Sequence, residues 1–497
     1  MNNKLQITNV DWVECKLGDI AYIYNGNSIN ARIKKEKYET CKTGLNYIGT
    51  KDVGFDGIIN YNNGVKIPFN EPKFKIAPKG AVLVCSEGGS AGRKVGYTNE
   101  KICFGNKLFA ITNKYSVFEG KFVFYYTRYR GFFQAFRNQM NGIIGGVSVK
   151  KFSTIQIPLA PLPIQRAIVS KIESLFSDLD NGIANLKKAQ EQLKIYRQAV
   201  LKKAFEGELT KEWRKKNPYT MDDFLISLKK EKKEAIKQKL IQKDEYFPEF
   251  ENTDLTYKVP KNWISLPWKT IVSNNKYAMK RGPFGSALKK SFFVEKGIVV
   301  YEQGHAINDD PYRHRYFITD EKFEELKAFK VQAGDMIISC SGVTLGRICL
   351  LPEDADLGII NQALLKIDLD EKILLKKFFI MLFRSETFQR LIFQKSLGSA
   401  MPNMVSMSEL KKILIPIPSI QEQNQIVQEI EKRLSVTDKI EESIKESLQK
   451  AEALRQSILK KAFEGKLLTE QEIEQCKKEP DYEPASVLLE RIKSEKK

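Results

Sequence analysis

The chain has 497 residues, of which 42% are hydrophobic and 29% charged, so it is long enough for about three domains and has the composition of a folded protein. No apolar run reaches the roughly 18 residues that a membrane span needs, and the first residues contain no signal-peptide core, so a cytoplasmic protein is expected. The formal net charge is +20. This excess predicts a polyanionic partner, most simply nucleic acid, although an inert basic surface is the alternative.

The positive charge is concentrated in two large blocks. Residues 1–160 carry 23 basic and 11 acidic side chains, and residues 259–417 carry 23 and 17. The intervening residues 161–258 carry 20 and 16, and residues 418–497 carry 15 and 17. Two basic blocks therefore alternate with two segments that are closer to neutral.

The first block mixes predicted strands and helices. GAVLVCS (80–86) is a short apolar run after a glycine and predicts a strand. KFVFYYTRYRGFFQAFRNQM (121–140) predicts amphipathic helices whose aromatic side chains are more typical of a core than of a ligand platform. The glycine-rich EGGSAGRK (87–94) lacks the Gly-Lys-Ser/Thr ending of a phosphate-binding loop. These patterns predict an α/β or α+β block.

A long amphipathic helix follows the first block. From Ile164 to Ala204, apolar residues recur at steps of three or four, or at multiples of them, which predicts a coiled-coil-like seam over roughly 40 residues. Prolines between 158 and 163 end the preceding strand, and Gly207 ends the helix. Residues 229–239 predict a charged linker helix with solvated Glu–Lys pairs.

The second half of the chain repeats the first. RQAVLKKAFEG (197–207) and RQSILKKAFEG (455–465) are identical at nine of eleven positions, at an offset of 258. That offset also pairs Gln165 with Gln423. Weaker matches pair Gly92-Arg93 with Gly346-Arg347, Asn106 with Asn361, and FLISLKKEKK (224–233) with LLERIKSEKK (488–497). Two copies of one unit, fused in tandem, explain these matches.

The repeat predicts two α/β (α+β) globular blocks joined by two long helices. The helices are expected to pack antiparallel, as a coiled coil with pseudo-twofold symmetry, with folding of each helix onto its own block as the alternative. The predicted segments are globular block 1 (1–160), spacer helix 1 (161–210), a charged linker (211–258), globular block 2 (259–417), spacer helix 2 (418–466) and a C-terminal tail (467–497).

The residues that catalysis or metal binding would require are poorly represented. Seven cysteines are scattered without a C-x-x-C pair, so reduced, mostly buried thiols and no metal site are expected. His305 and His314, the two histidines, lie in a polar stretch and are predicted to be surface or DNA-facing. KNPYT (216–220) falls short of the Asn/Asp-Pro-Pro-aromatic loop of adenine methyltransferases. No catalytic residue is predicted.

The chain resembles the specificity subunit of type I restriction–modification systems. The resemblance is carried by VSVKKFSTIQIPLAPLPIQRAIV (147–169), by VSMSELKKILIPIPSIQEQNQIV (405–427), by the two LKKAFEG helix ends and by the lead-in GSAMPN (398–403). The family's Pro-x-x-Glu-Gln helix opening survives as Glu422-Gln423 but is Ile164-Gln165 in the first copy. The lead-in has only GIIGG (142–146) opposite it.

The resemblance implies a subunit that is not an enzyme and that reads a bipartite, gapped DNA target. Each block would be a target-recognition domain for one half-site, and the helix pair would fix the gap. Two methylation subunits would bind S-adenosylmethionine and methylate adenine N6, and two restriction subunits would bring ATP and Mg. The alternatives are a non-specific DNA-binding coiled-coil scaffold and a diverged single-chain restriction–methylation enzyme.

Basic and polar side chains near predicted loops are the candidates for DNA contact, because cations hold phosphates and planar polar groups reach base edges. They are Tyr47, Lys51, Arg93, Lys94, Lys107, Lys280, Arg281, Lys289, Arg313, Arg315 and Arg347. For Arg93 and Arg347, a structural Gly-Arg turn is the alternative. The candidates for a partner surface, with packing in the helix pair as the alternative, are Leu201, Lys202, Phe205, Leu459, Lys460 and Phe463.

Overall fold

The computed structural model describes residues 12–140, 145–241, 259–341, 345–393 and 404–495. These residues form two compact units. The first unit contains the described residues up to Lys187 and those from Ile444 onward, and the second runs from Lys188 to Ser443. These units differ from the segments predicted from the sequence. Their boundaries fall inside the two predicted spacer helices, so each long helix is divided between the two units.

The first block alternates short strands with short helices. In chain order they are β1 (Val13–Lys16), α1 (Leu17–Ile20), β2 (Ala21–Asn25), α2 (Ala31–Ile33), β3 (Leu45–Ile48), β4 (Lys66–Ile67), β5 (Ile76–Ala77), β6 (Val82–Cys85), β7 (Val95–Tyr97), β8 (Ile102–Phe104), β9 (Leu108–Asn113), α3 (Gly120–Arg128), α4 (Arg130–Asn138), α5 (Val149–Phe152) and β10 (Gln156–Leu159).

These strands form two four-stranded sheets and a two-stranded ribbon. One sheet has the antiparallel order β2-β9-β6-β7, and the other has the order β4-β3-β8-β5, in which β3 and β8 are parallel. The ribbon pairs β1 with β10. Every residue of β6 is buried, which confirms the predicted strand. The aromatic-rich helices α3 and α4 bury Phe122, Phe132 and Phe136 in the same core, as predicted.

Helix α6 (Leu162–Phe205) follows the first block and has 44 residues, about 66 Å at 1.5 Å per residue. Its apolar face is buried at both ends and only half-buried in the middle. Gly207 ends this segment with a φ of +73°, a conformation that glycine adopts without strain. The prediction of a single long helix is confirmed.

Two shorter helices, α7 (Lys211–Lys216) and α8 (Asp222–Lys237), occupy the predicted charged linker. Helix α8 is not solvated on all sides, which corrects the expectation. It buries Lys232, whose Nζ donates to the Val272 carbonyl at 3.2 Å and to Asn274 Oδ1 at 2.6 Å. The linker residues 242–258 lie outside the described residues.

The elements of the second block match those of the first in the series of strands and in the three helices before the last strand, but the two earlier helices lie at different places in the series. The elements of the second block are β11 (Ile264–Pro267), β12 (Met279–Arg281), β13 (Ile298–Tyr301), α9 (Gln303–Asn308), β14 (Phe317–Ile318), α10 (Asp320–Glu325), β15 (Lys330–Val331), β16 (Met336–Ser339), β17 (Ile348–Leu350), β18 (Gly358–Ile360), β19 (Leu364–Ile367), α11 (Lys376–Phe383), α12 (Glu386–Phe393), α13 (Met407–Leu410) and β20 (Leu414–Ile417).

Sheet order confirms the prediction of two copies of one α/β block. The second block has sheets β12-β19-β16-β17 and β14-β13-β18-β15 and the ribbon β11-β20, each the counterpart of a first-block sheet. One predicted pairing is wrong by one residue. The Gly105 N–H donates to the Ile48 carbonyl, and the Asn361 N–H donates to the Tyr301 carbonyl, both at 2.9 Å. Asn361 is therefore equivalent to Gly105, and not to Asn106.

Helix α14 (Ile420–Phe463) also has 44 residues and is followed by Gly465 at φ +73°. In the first unit, Arg455 forms an ion pair with Asp180. In the second unit, Arg197 forms ion pairs with Asp438 and Glu441. Residues late in one helix thus pair with residues earlier in the other, which confirms antiparallel packing within each unit.

The predicted tail contains α15 (Glu470–Lys477) and α16 (Ala485–Ser494), both of which belong to the first unit. Helix α16 buries Leu488 and Ile492. A short helix followed by a longer one is also the arrangement of α7 and α8. The tail is therefore a second copy of the linker, in agreement with the similarity of residues 224–233 to 488–497.

Candidate nucleic-acid interface

Two predicted first-block residues contact an exposed phenylalanine, and a third lies next to one of their bonding partners. The guanidinium carbon of Arg93 and the Nζ of Lys94 each lie 5.2 Å from the ring centre of Phe55, whose exposed fraction is 58%. Lys94 Nζ also donates to the Thr50 carbonyl at 3.1 Å, beside the exposed Lys51. Lys51, Arg93 and Lys94 thus form one basic patch.

A groove lies next to this patch. It is lined by Gly88, Gly89, Ala91, Arg93, Phe133, Arg137, Met140 and Gly145. The turn at its edge needs glycine at position 92, because φ is +66° there and a Cβ would lie 2.5 Å from the Phe136 ring. The Gly-Arg turn is therefore structural, and it also presents the exposed Arg93 at the groove. Arg137, a second exposed cation here, was not predicted.

Two other first-block candidates are engaged inside the block. Tyr47 is half-buried, its hydroxyl donates to the Asn27 carbonyl at 2.7 Å, and burial raises its pKa to about 12. Tyr47 thus packs within the block, and its contact with DNA stays a prediction. Lys107 is exposed but lies 2.9 Å from the Glu87 carboxylate, and that hydrogen bond raises the pKa of Lys107.

In the second block, one group of candidates lies on or after β12. Lys280 Nζ lies 5.3 Å from the Phe329 ring centre, and the guanidinium carbon of Arg281 lies 5.5 Å from that of Phe284. Phe284 has an exposed fraction of 66%. Lys289 is exposed a few residues further along the chain. One of these cations, Arg281, thus contacts an exposed aromatic ring in this block too.

The other second-block candidates lie in loops. Arg313 and Arg315 follow α9, Arg347 follows Gly346 in the counterpart of the Gly92 turn, and all three arginines are exposed. Arg315 lies 3.9 Å from the Glu302 carboxylate, and its guanidinium carbon lies 4.9 Å from the Tyr316 ring centre. Their contact with DNA, like that of the other exposed candidates, stays a prediction.

The histidine prediction needs correction. His305 is fully buried, its Nδ1 accepts from the Glu302 N–H at 3.0 Å, and burial lowers its pKa. His314 is half-buried, with Nδ1 3.4 Å from an Asp356 carboxylate oxygen. Neither imidazole is the surface group that the surrounding polar sequence predicted, because the Tyr301 ring and its neighbours cover them.

Each long helix begins at a buried glutamine that binds its own block. Gln165 accepts from the Glu119 N–H at 2.9 Å and donates to the carbonyls of Val117 and Ala160 at 3.0 and 2.7 Å. Gln423 makes the counterpart bonds, accepting from the Leu375 N–H at 2.9 Å and donating to two carbonyls, both at 3.0 Å. The matched glutamines thus fix the direction in which each helix leaves its block.

Each long helix ends against the opposite block. Phe205 of α6 packs on Phe378 with ring centres 5.3 Å apart, and Phe463 of α14 packs on Phe122 and Tyr126, both at 5.2 Å. The side chains buried here, which corrects their prediction as a partner surface, are Leu201, Phe205, Leu459 and Phe463. The helix ends are occupied by the chain itself.

The lysines of the same motif remain exposed. The side chains of Lys202 and Lys460 are 64% and 61% exposed, and each lies close to a glutamate one turn later, at 3.9 Å and 3.8 Å. Their role toward a partner subunit stays a prediction.

All seven cysteines are free thiols, and six of them are buried. Over the described ranges, no three His, Cys, Asp or Glu side chains are grouped as metal ligands would be. Nor does any helix in those ranges have both the length and the apolar character that crossing a membrane requires. The lead-in residues 398–403 lie outside the described residues, as do three of the five in GIIGG.

Two solved structures share this fold. One chain, from a study of complex assembly and conformational transition of the type I R-M system, aligns with a TM-score of 0.64 at 15% identity, over 94% of this chain and all of that one. The HsdS subunit from Thermoanaerobacter tengcongensis aligns with a TM-score of 0.51 at 16% identity, over 92% and 98% of the two chains. These similarities support the fold.

Sequence comparisons agree. The chain is 27% identical to the EcoBI specificity subunit of Escherichia coli, over 99% of this chain and 94% of that protein. It is 24% identical to the EcoKI specificity subunit of Escherichia coli strain K12, over 85% and 82% of the two chains. The family model for the type I restriction modification DNA specificity domain matches residues 9–193 and 285–450. The chain therefore belongs to this family and is a type I DNA sequence-specificity subunit.

Proposed function

We propose that the chain reads a bipartite DNA target, with one half-site per globular block and an unspecified gap set by the two long helices. The observation that carries the proposal is that two blocks of one topology present different side chains at the same place. The segment between β3 and β4 contains the exposed Phe55, whereas the counterpart segment between β13 and β14 contains α9 and the exposed Arg313 and Arg315. Two different readers on one scaffold match an asymmetric target with two half-sites.

The physical scale of the helices supports a spacer role. Half-sites read from one side of DNA lie about 34–36 Å apart, or a multiple of that distance. A 44-residue helix spans about 66 Å, which is long enough to separate two readers by such a distance. Two such helices packed antiparallel resist bending better than one.

The proposal assigns chemistry to partner subunits. Methylation subunits would bring S-adenosylmethionine and flip the target adenine out of the duplex, and restriction subunits would bring ATP and Mg. The chain itself would bind DNA and hold these subunits, without methyl transfer or cleavage of its own. The free thiols and the DNA target support action in the cytoplasm.

Methylation mapping of host DNA, with and without the gene, tests the proposal. Loss of N6-methyladenine at one gapped, bipartite motif on deletion is expected, and the motif would be the target. The result that would contradict the proposal is unchanged methylation at every motif together with equal affinity of the purified chain for all duplex sequences. The chain would then be a non-specific DNA-binding scaffold. Methyl transfer by the purified chain alone would instead establish a single-chain enzyme.

A further inference from the structure

The first block carries an apolar tip at its basic patch. Residues 53–59 form a tight hairpin, here named the Phe55 hairpin, closed by a bridge between Val53 and Ile59. Two of its apolar side chains point into solvent, Phe55 with 58% and Ile58 with 68% of its surface exposed. Exposed apolar groups rimmed by charge are typical of binding sites.

The hairpin is held rigidly by its own backbone and by the block. The Gly54 N–H donates to the Ile58 carbonyl at 2.8 Å, and the Ile58 N–H donates to Asp56 Oδ1 at 3.0 Å. Arg128, at the end of α3, donates to the Asp56 carbonyl. A side chain on such a stem is presented at little cost in conformational entropy.

The cations around Phe55 are arranged for a polyanion. Arg93 and Lys94 contact the Phe55 ring, Lys51 lies at the base of the hairpin, and Arg137 lies across the neighbouring groove. The block as a whole carries more than twice as many basic as acidic side chains. A duplex supplies both the phosphates for these cations and stacked apolar base faces for the ring.

The second block has a different tip on the counterpart support. Arg384, at the end of α11, ion-pairs with Asp309 at 2.7 Å, as Arg128 binds the loop residue Asp56 in the first block. The tip itself is polar, because the Tyr312 hydroxyl donates to Asp354 at 2.8 Å. At these counterpart positions, the first block therefore has an apolar tip and the second block a polar one.

We propose that the Phe55 hairpin is a wedge that enters the duplex at the half-site of the first block. Phe55 stacks on one base step and partly unstacks it, while Lys51, Arg93 and Lys94 hold the flanking phosphates. The wedge makes that half-site sensitive to the stacking strength of the contacted step. This inference rests on the proposed function and adds a specificity-determining residue to it.

The test uses the complex of the chain with its methylation subunits and the duplex identified by methylation mapping. The fluorescent base 2-aminopurine, placed in turn at each position of the first-block half-site, reports unstacking. Besides the adenine that the methylation subunit flips, the wild-type complex is expected to raise this fluorescence at one further step, which marks the wedge. Phe55→Ala is expected to abolish that rise and to weaken binding of the target about tenfold, with little effect on random duplexes.

Phe69 is the matched control, because it is in the same block and has 77% of its surface exposed. Phe69→Ala should behave as wild type, and Phe55→Trp should retain the fluorescence rise. An unchanged rise and affinity in Phe55→Ala, or equal losses in both alanine variants, would overturn the wedge. If the wild-type complex itself binds mapped and random duplexes equally, the proposed function fails first, and the wedge fails with it.

Discussion

The two long helices begin with the same buried glutamine but differ one residue earlier, where α14 has Glu422 and α6 has Ile164. Glu422 is fully buried, and its carboxylate accepts hydrogen bonds from four side chains of the second unit. These are Thr210 Oγ1 at 2.6 Å, Arg214 Nε at 2.9 Å, the Tyr219 hydroxyl at 2.6 Å and Trp263 Nε1 at 3.0 Å. The network fastens the region of α7 to the beginning of α14.

In the first unit, the counterpart of the α7 region is the region of α15, and it is held by different interactions. Ile164 is buried in an apolar core, and the indole N–H of Trp12, the counterpart of Trp263, is buried with no hydrogen-bond partner among the described residues. Instead, exposed ion pairs hold the segment, Arg166 with Asp481 at 2.8 Å and Lys171 with Glu472 at 2.9 Å.

The two units therefore attach equivalent regions by different interactions, and these interactions differ in how much stability is lost when one side chain is changed. A buried charge with all its donors in place is very costly to disturb, because the groups left behind cannot be solvated. Exposed ion pairs contribute at most about 1 kcal/mol each, because water and salt screen them. The two units are therefore expected to respond unequally to equivalent changes.

The largest effect is expected from Glu422→Ile, which gives the second unit the first unit's residue. Loss of the carboxylate leaves Arg214 and Trp263 without their partner and should destabilise the second unit by about 3–5 kcal/mol. Hydrogen exchange of backbone amides measures this unit by unit, with the first unit as internal reference. Adding Arg214→Met should recover most of the loss, whereas Asp481→Ala in the first unit should have a much smaller effect, because its ion pair with Arg166 is exposed to solvent. An effect of Glu422→Ile no larger than that of Asp481→Ala would contradict the network.

Gln165→Ala and Gln423→Ala should each cost about 2–3 kcal/mol in their own unit, because each leaves one N–H and two carbonyls unpaired. Here the two units share the same chemistry, so similar losses are expected, measured by the same exchange experiment. If only one of the two variants lowered the exchange protection of its own unit, the two glutamines would not be equivalent.

Trp263→Phe and Trp12→Phe separate the hydrogen bond from the ring. Both variants lose part of a buried indole, but only Trp263→Phe removes a donor from Glu422. Trp263→Phe should therefore cost about 1.5–3 kcal/mol more than Trp12→Phe. Equal costs in the exchange measurement would mean that the carboxylate does not depend on the indole.

The smallest effect concerns pH and the attachment of α15. Hydrogen bonds from Lys171 and from the Thr469 backbone lower the pKa of Glu472 to about 2 from its ordinary 4.5. Because the folded value is the lower one, this contribution is present above about pH 4.5 and is lost as pH falls toward 2. Exchange of α15 amides, corrected for intrinsic rates, should rise modestly at pH 3, and Glu472→Gln should remove most of this pH dependence. If wild type and Glu472→Gln showed the same pH dependence of exchange, a group other than Glu472 would be responsible for it.

Much of the fold follows from the sequence because the repeat is visible in it. The 258-residue offset predicts two blocks and two helices, and it pairs Gln165 with Gln423, whose bonds are equivalent. The contacts of the helix ends do not follow from the repeat. Phe205 and Phe463 have the spacing of seam residues, and only tertiary packing determines whether such a residue meets a helix, a block or a partner.

The candidate interface was predictable in its charge but not in its shape. Exposed cations such as Arg93 follow from composition and turn residues, whereas the hairpin under Phe55 depends on Arg128, distant in sequence. In the sequence, only a phenylalanine between Gly54 and Gly57 indicates a turn that could expose an apolar side chain. His305 shows the reverse case, because a polar neighbourhood in sequence says little about burial when a nearby ring covers the side chain.

The division of each long helix between two units has a consequence for synthesis on the ribosome. The second unit is one continuous stretch of chain, but the first is completed only when residues from Ile444 onward have emerged. At about 5–20 residues per second, the first block waits roughly 15–60 s for the helix end that carries Phe463. During that interval the Phe463 site on the block is open, which makes the nascent chain most vulnerable to aggregation and to proteases there.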